Sequence, residues 1–203
     1  MKSRFLAQTL LTILLGLAVS ACSSTPQSTT PSVQITKQEK VDLPAPSDLG
    51  YSLTASQLIE ATWNSDEQSQ SEQLPVQLQV SDNKLVLAGF SSWGTRILSV
   101  SYQDDEITTD ILSGLGSVLP APEQVLFNLM ITLWPVSAWE ASLNEVRWQI
   151  IDSNNSRAIV DSRGEKVIDI QYSNTDRLSG DILFHHLIEN YTIKIKTLQF
   201  SKA

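Results

Sequence analysis

Between Pro122 and Trp134 the chain reads PEQVLFNLMITLW, and this stretch limits the fold more than any other. Proline at a first helical position followed by Glu123 is a helix start, and Pro135 stops the helix from continuing. Gln124, Asn128 and Thr132 recur every four residues and form one narrow polar stripe, while from Val125 to Trp134 every other position is apolar. A surface helix has the reverse pattern, an apolar stripe on a polar cylinder. This helix must therefore be wrapped by other elements on most sides, or face an apolar cavity.

The flanking sequence supplies the wrapping. Val76, Leu78 and Val80 alternate with glutamines, the period of a strand with one buried face. Leu85–Phe90 and Ile97–Tyr102 are apolar runs joined by the short turn Ser91–Thr95, a hairpin pattern with Trp93 at its tip. Asp104-Asp105-Glu106 reads as a solvated turn before a strand over Ile107–Leu112. Tyr51–Trp63 reads as an opening strand, and Asn64–Glu72, being polar, as a loop. Beyond the helix, Val136–Leu143 predicts a short second helix carrying Trp139. Strands are then expected near Val146–Ile150, Arg157–Asp161, Ile168–Tyr172, Asp181–Ile188 and Tyr191–Phe200. Nine or ten antiparallel strands around one apolar helix predict a mainly β (α+β) fold. Its sheet is strongly curved into an incomplete barrel with the helix inside.

The first fifty residues have a different character. Lys2 and Arg4, the apolar run Leu10–Val19 and Ser20-Ala21 have the layout of a secretory signal, too short in its apolar part to span a bilayer. Cys22, the only cysteine, follows directly. The expected organisation is a signal peptide over 1–21, a lipidated Cys22 with a flexible Ser/Thr/Pro-rich tether over 22–50, and the half-barrel over 51–203. With a net charge of −8 the chain lacks the basic footprint of a nucleic-acid binder.

Three sets of residues carry resemblances. Val19-Ser20-Ala21-Cys22 resembles the bacterial lipoprotein lipobox, which implies cleavage before Cys22 and acylation there. Ser23 after the cysteine resembles the outer-membrane class, so a lipid-anchored protein facing the periplasm is expected. Trp93-Gly94-Thr95 at the hairpin, and the helix ending in Pro135 with Trp139 beyond it, resemble the outer-membrane lipoprotein carrier and receptor group, LolA and LolB. In the receptor the tip residue is Leu; here it is Trp. The segments SLTASQLIEA, LVLAGFSSWGTRILSVSY and LWP resemble an uncharacterised proteobacterial lipoprotein family whose genes lie among aryl-polyene and fatty-acid-synthase-like biosynthesis clusters.

These resemblances imply a non-catalytic outer-membrane lipoprotein that binds an acyl-like, lipid or polyene-lipid ligand and helps its transfer. Its partners would be outer-membrane lipids and a periplasmic carrier protein. Trp93 is then a membrane- or ligand-contacting tip, or else folds onto a neighbour such as Phe90. Phe127, Met130, Ile131, Trp134 and Trp139 either line a hydrophobic cavity or form the core. The rival reading is an assembly lipoprotein with a filled core that acts through protein contacts. His185 and His186 are adjacent, so on a strand they face opposite ways and cannot share a metal. The sequence has no GxSxG, HExxH or P-loop motif, and neither enzyme chemistry nor a cofactor or metal is expected. Arg96 and Arg147 are candidates to orient an anion at a cavity mouth, with surface ion pairs as the default.

Overall fold

The computed structural model describes residues 30–65, 68–114 and 120–203. Cys22 and the signal-like segment lie outside the described residues. Two short strands come first, β1 (Ser32–Gln34) and β2 (Lys40–Asp42), followed by a 3-10 turn at Pro46–Leu49. Five strands follow: β3 (Leu53–Ser65), β4 (Gln68–Ser81), β5 (Lys84–Phe90), β6 (Arg96–Gln103) and β7 (Glu106–Ile111). The helices α1 (Pro122–Leu133) and α2 (Glu140–Glu145) separate them from β8 (Gln149–Asp152), β9 (Ser156–Val160), β10 (Lys166–Tyr172), β11 (Asp181–His186) and β12 (Tyr191–Lys202).

The ten strands β3 to β12 form one antiparallel sheet in the order β7-β6-β5-β4-β3-β12-β11-β10-β9-β8. Two five-strand meanders thus meet at the β3–β12 seam, where pairing runs from Leu53↔Lys202 to Trp63↔Tyr191. The edges β7 and β8 do not pair with each other, so the barrel is incomplete. The chain crosses from one edge to the other through α1 and α2. Because α1 is apolar on nearly every side, the crossing runs over the buried face of the sheet rather than outside it. Leu126, Phe127 and Leu129 to Trp134 are all buried. The expected fold class is the one observed.

Three local expectations need correction. Asn64–Glu72 is not a loop: β3 and β4 continue outward as a polar two-stranded arm, with Ile59↔Leu74 near its base and Ser65↔Gln68 at its end. Main-chain pairing holds this arm together, and Gln68–Gln73 expose both faces, so the sequence lacks the alternation that marks a half-buried strand. The strand expected from Val146 begins at Gln149, because α2 runs to Glu145 and Arg147 turns the chain at φ +58°. The tether, expected to reach Gly50, is ordered structure from Ser32 onward. Val33, Ile35, Val41, Leu43 and Leu49 are buried in the common core, and β1 packs on α1. The alternation of Val33 with Ile35 and of Val41 with Leu43 explains this, since each pair puts two apolar side chains on one strand face. At about 1.5–3 kcal/mol for each fully buried aliphatic side chain, five such residues outweigh the looseness of the surrounding Ser, Thr and Pro.

Candidate functional site

The interior of the half-barrel is closed from both sides. Sheet residues such as Leu78, Leu87, Val100, Ile168, Ile170 and Phe184 are buried in one core with α1, and β1 of the strap packs on that helix. Phe127, Met130, Ile131, Trp134 and Trp139 are all fully buried. Phe127 and Trp139 meet edge to face at 5.6 Å, and Trp134 Nε1 donates to the Ala45 carbonyl of the strap at 3.0 Å. These five were candidates for lining a cavity. In the closed structure they are core, and none of them lines either of the two surface depressions described below. The inverted helix pattern admitted both outcomes, and close packing against sheet and strap selects the second.

The polar stripe of α1 is used internally. Gln124 donates to Asn128 Oδ1 at 3.0 Å and to the Tyr191 hydroxyl at 3.3 Å, and Tyr191 donates to Asn128 Oδ1 at 3.0 Å. At the other end of the helix, carbonyls that lack intrahelical partners need donors. The fully buried Arg157 supplies them, its Nη1 reaching the Ile131 carbonyl at 2.6 Å and the Trp134 carbonyl at 2.9 Å. Tyr172 donates to the Thr132 carbonyl at 2.9 Å. A cation at a helix C-terminus is also favoured by the helix dipole.

Asp152 balances this buried charge. It accepts Arg157 Nε at 2.9 Å and Arg177 Nη2 at 2.7 Å, and Arg177 stacks over the Tyr172 ring at 4.5 Å. Burial alone raises the Asp152 carboxyl. Hydrogen bonds and charge from the two arginines outweigh it and hold the group below the ordinary carboxylate range. Sequence reading missed Arg157, although a signal was present: in the strand Ser156–Val160, alternation puts Arg157 on the same face as Ile159.

The strap has its own fastening. His186, buried on β11, has its Nε2 3.1 Å from the Ile35 carbonyl, while its Nδ1 accepts the Glu189 N–H at 3.2 Å. Those partners assign the neutral tautomer with the proton on Nε2. The ring stacks on Tyr191 at 5.1 Å, and Tyr191 stacks on Phe184 at 5.8 Å. Burial lowers the His186 pKa. His185 lies on the opposite face, as adjacency on a strand requires.

Among the described residues, Trp93 is the most exposed of the large apolar side chains, at 93%. It does not fold back on Phe90. Its loop is nonetheless well fixed. The Ser91 N–H donates to the Thr95 carbonyl at 2.8 Å, the Gly94 N–H to the Ser91 carbonyl at 2.9 Å, and the Thr95 N–H to Ser91 Oγ at 3.2 Å. Gly94 adopts φ +80°, a conformation that a side chain at this position would strain.

The charged candidates go to ordinary surface roles. Arg96 pairs with Asp110 at 2.7 Å, both well exposed. Arg147 is exposed in the turn after α2. Asp104 and Asp105 make the β6–β7 turn at φ +51° and +59°. A depression of about 470 Å³ lies between Tyr51, Leu133, Asp176, Arg177 and Lys202, but its cations are already engaged, Arg177 by Asp152 and Lys202 by Asp176. A second depression, of about 310 Å³, lies on the outer face beside Leu183 and Lys194. Among the described residues there is no cluster of three metal-ligating side chains, and no helix is long and apolar enough to cross a membrane.

A family model described as "Protein of unknown function (DUF3261)" matches residues 54–199. No curated protein matches the chain. Three solved structures are similar in outline. A LolA superfamily protein from Nitrosomonas europaea has 8% identity and a TM-score of 0.40, covering 79% of this chain and 94% of its own. A putative outer membrane lipoprotein-sorting protein domain from Vibrio parahaemolyticus has 8% identity and a TM-score of 0.34, covering 74% and 85%. A DUF1329 family protein from Desulfovibrio piger has 6% identity and a TM-score of 0.32, covering 73% and 84%.

Proposed function

The chain belongs to the family DUF3261, and for this member we propose a non-catalytic envelope protein that works at a lipid surface. In this reading Trp93 touches the membrane, and the half-barrel accepts an acyl-like or polyene-lipid chain when α1 and its strap move aside. The anchor is Cys22, with the domain facing the periplasm from the outer membrane and exchanging its ligand with a carrier protein.

The observation that carries the reading is the Trp93 loop. An indole 93% exposed costs free energy in water, and a loop held by three hydrogen bonds presents it permanently. Trp favours the headgroup level of a bilayer, where its ring is buried and its N–H stays hydrated. An apolar interior would hold an acyl chain at about 0.8 kcal/mol per buried methylene, enough to compete with the closed packing once several methylenes enter.

The rival is an assembly lipoprotein acting through protein contacts, and one observation favours it: the five aromatic and aliphatic residues around α1 are already fully buried. Mass spectrometry of lipids extracted from the full-length protein, purified gently from its own host, separates the two. A stoichiometric acyl or polyene lipid supports the carrier reading. Ligand-free protein transfers the assignment to the assembly reading.

A further inference from the structure

Seven large apolar side chains are exposed among the described residues, and four lie at one end of the sheet. Trp93 tips the β5–β6 hairpin. Leu112 follows β7 at the same end, its N–H donating to the Ile97 carbonyl at 3.0 Å. Leu187 and Ile188 form the β11–β12 turn, 41% and 53% exposed. That turn follows the pairing His186↔Tyr191, and Tyr191 in turn pairs with Trp63 in the outer part of β3, so it lies at the Trp93 end. The other three, Ile151, Leu183 and Leu198, are scattered along strands β8, β11 and β12.

The Leu187–Ile188 turn is as well fixed as the Trp93 loop. The Leu187 N–H donates to the Val167 carbonyl at 2.8 Å, the Glu189 N–H is held by His186 Nδ1, and Asn190 turns the chain at φ +54°. Three strand spacings separate β5 from β12, about 14 Å along the sheet. Between them the β3–β4 arm carries Gln68-Ser69-Gln70-Ser71, amide and hydroxyl groups suited to hydrogen-bonding headgroups.

We propose that Leu187 and Ile188 form a second membrane contact that acts with Trp93, so that this end of the sheet docks on a lipid bilayer along an edge rather than at a point. The inference deepens the membrane reading of Trp93 and rests on it. The occupant is a bilayer for two reasons. Only nine residues, 23–31, separate Cys22 from β1, so an acylated cysteine holds β1 within a chain reach of roughly 35 Å of the bilayer. The net charge of −8, with Glu60 and Glu72 on the arm between the contacts, disfavours an anionic surface and fits a zwitterionic one. Two contacts restrict the tilt of the domain against the membrane plane, which one indole does not.

The test uses the full-length protein reconstituted into phosphatidylcholine vesicles that contain phosphatidylcholine with a diazirine acyl chain. After photolysis, peptide mass spectrometry locates the adducts. The expected result is labelling at Trp93 and at Leu187–Ile188, each at least fivefold above Leu183 and Leu198. Labelling of Trp93 without the turn overturns the second contact and leaves the membrane reading standing. Labelling of neither overturns both, and labelling centred on Leu183 or Leu198 places the bilayer on another face and also overturns both. In the Leu187→Ser/Ile188→Ser double variant, Trp93 labelling is expected to fall at least threefold. Unchanged Trp93 labelling shows that the two sites do not act together.

Discussion

The carbonyl of Ile35 accepts a hydrogen bond from the ring of His186, 151 residues further along the chain. This single contact ties the strap over α1 to the sheet under it, and it depends on the imidazole staying neutral at Nδ1, where Glu189 N–H donates. Protonation of Nδ1 sets two donors against each other.

A pH dependence with a defined sign follows. Burial holds the folded-state pKa of His186 below its ordinary value, so the unfolded chain binds the proton first as pH falls. The stability contributed by the neutral ring is complete above about pH 6.5 and declines below that, toward the lower folded-state pKa. Thermal unfolding between pH 5 and 8 is expected to show a falling midpoint on the acid side. His186→Phe keeps an aromatic ring and is expected to flatten that decline, though with lower stability at pH 8. An identical slope in both proteins assigns the dependence to another group.

Arg157 is expected to be the most costly polar residue to remove. Arg157→Met leaves the Ile131 and Trp134 carbonyls without their buried donor and takes one partner from Asp152. Breaking a buried ion pair on one side costs about 3–5 kcal/mol, which equilibrium unfolding in urea resolves. Arg163→Met removes an exposed arginine from surface ion pairs and should cost less than about 1 kcal/mol.

Trp93→Ala separates folding from surface binding. The side chain is almost wholly in solvent, so stability should stay within about 0.5 kcal/mol of the parent. Photolabelling of the β5–β6 hairpin by membrane lipid should drop severalfold in the same protein. A large loss of stability would mean that the indole packs on the fold after all.

Gly89 tests packing near the hairpin. A Cβ built there would sit 2.8 Å from Leu74 Cδ2, so Gly89→Ala forces the leucine to move. A cost of about 1–3 kcal/mol is expected for such overpacking. Because the clash is with one flexible side chain, Gly89→Ala combined with Leu74→Ala should cost less than the two single changes added together. Strict additivity in urea unfolding would show that Leu74 yields without strain.

The strand meander, the inverted helix and its proline start were legible because each rests on local periodicity. The hairpin around Trp93 was legible for the same reason, with its turn chemistry at Ser91 and Gly94. What escaped depended on long-range partners. Residues 31–50 read as tether because they continue the Ser-, Thr-, Pro- and Gln-rich run after Cys22 into a Pro-rich entry, yet Val33, Ile35, Val41 and Leu43 are buried in the core shared with α1. Arg157 reads as a surface residue until the carbonyls of α1, over twenty residues away, need a donor. Whether Phe127 and Trp139 face a cavity or each other depends on how close the strap lies, which no periodicity encodes.

The β3–β12 seam has a consequence for how the protein comes to be folded. The sheet's central pair joins its first strand to its last, with Leu53 opposite Lys202. A growing chain therefore cannot close the middle of the sheet until β12, Tyr191–Lys202, has emerged, and until then β3 is an open edge with long loops still to be closed. The polar residues Ser56, Gln57, Glu60, Thr62 and Asn64 along that edge then serve as protection, since an unpaired edge is safer when polar and charged groups interrupt its apolar residues. A nascent chain whose emerged part stops before Tyr191 should be caught by chaperones, and one whose emerged part includes all of Tyr191–Lys202 should not.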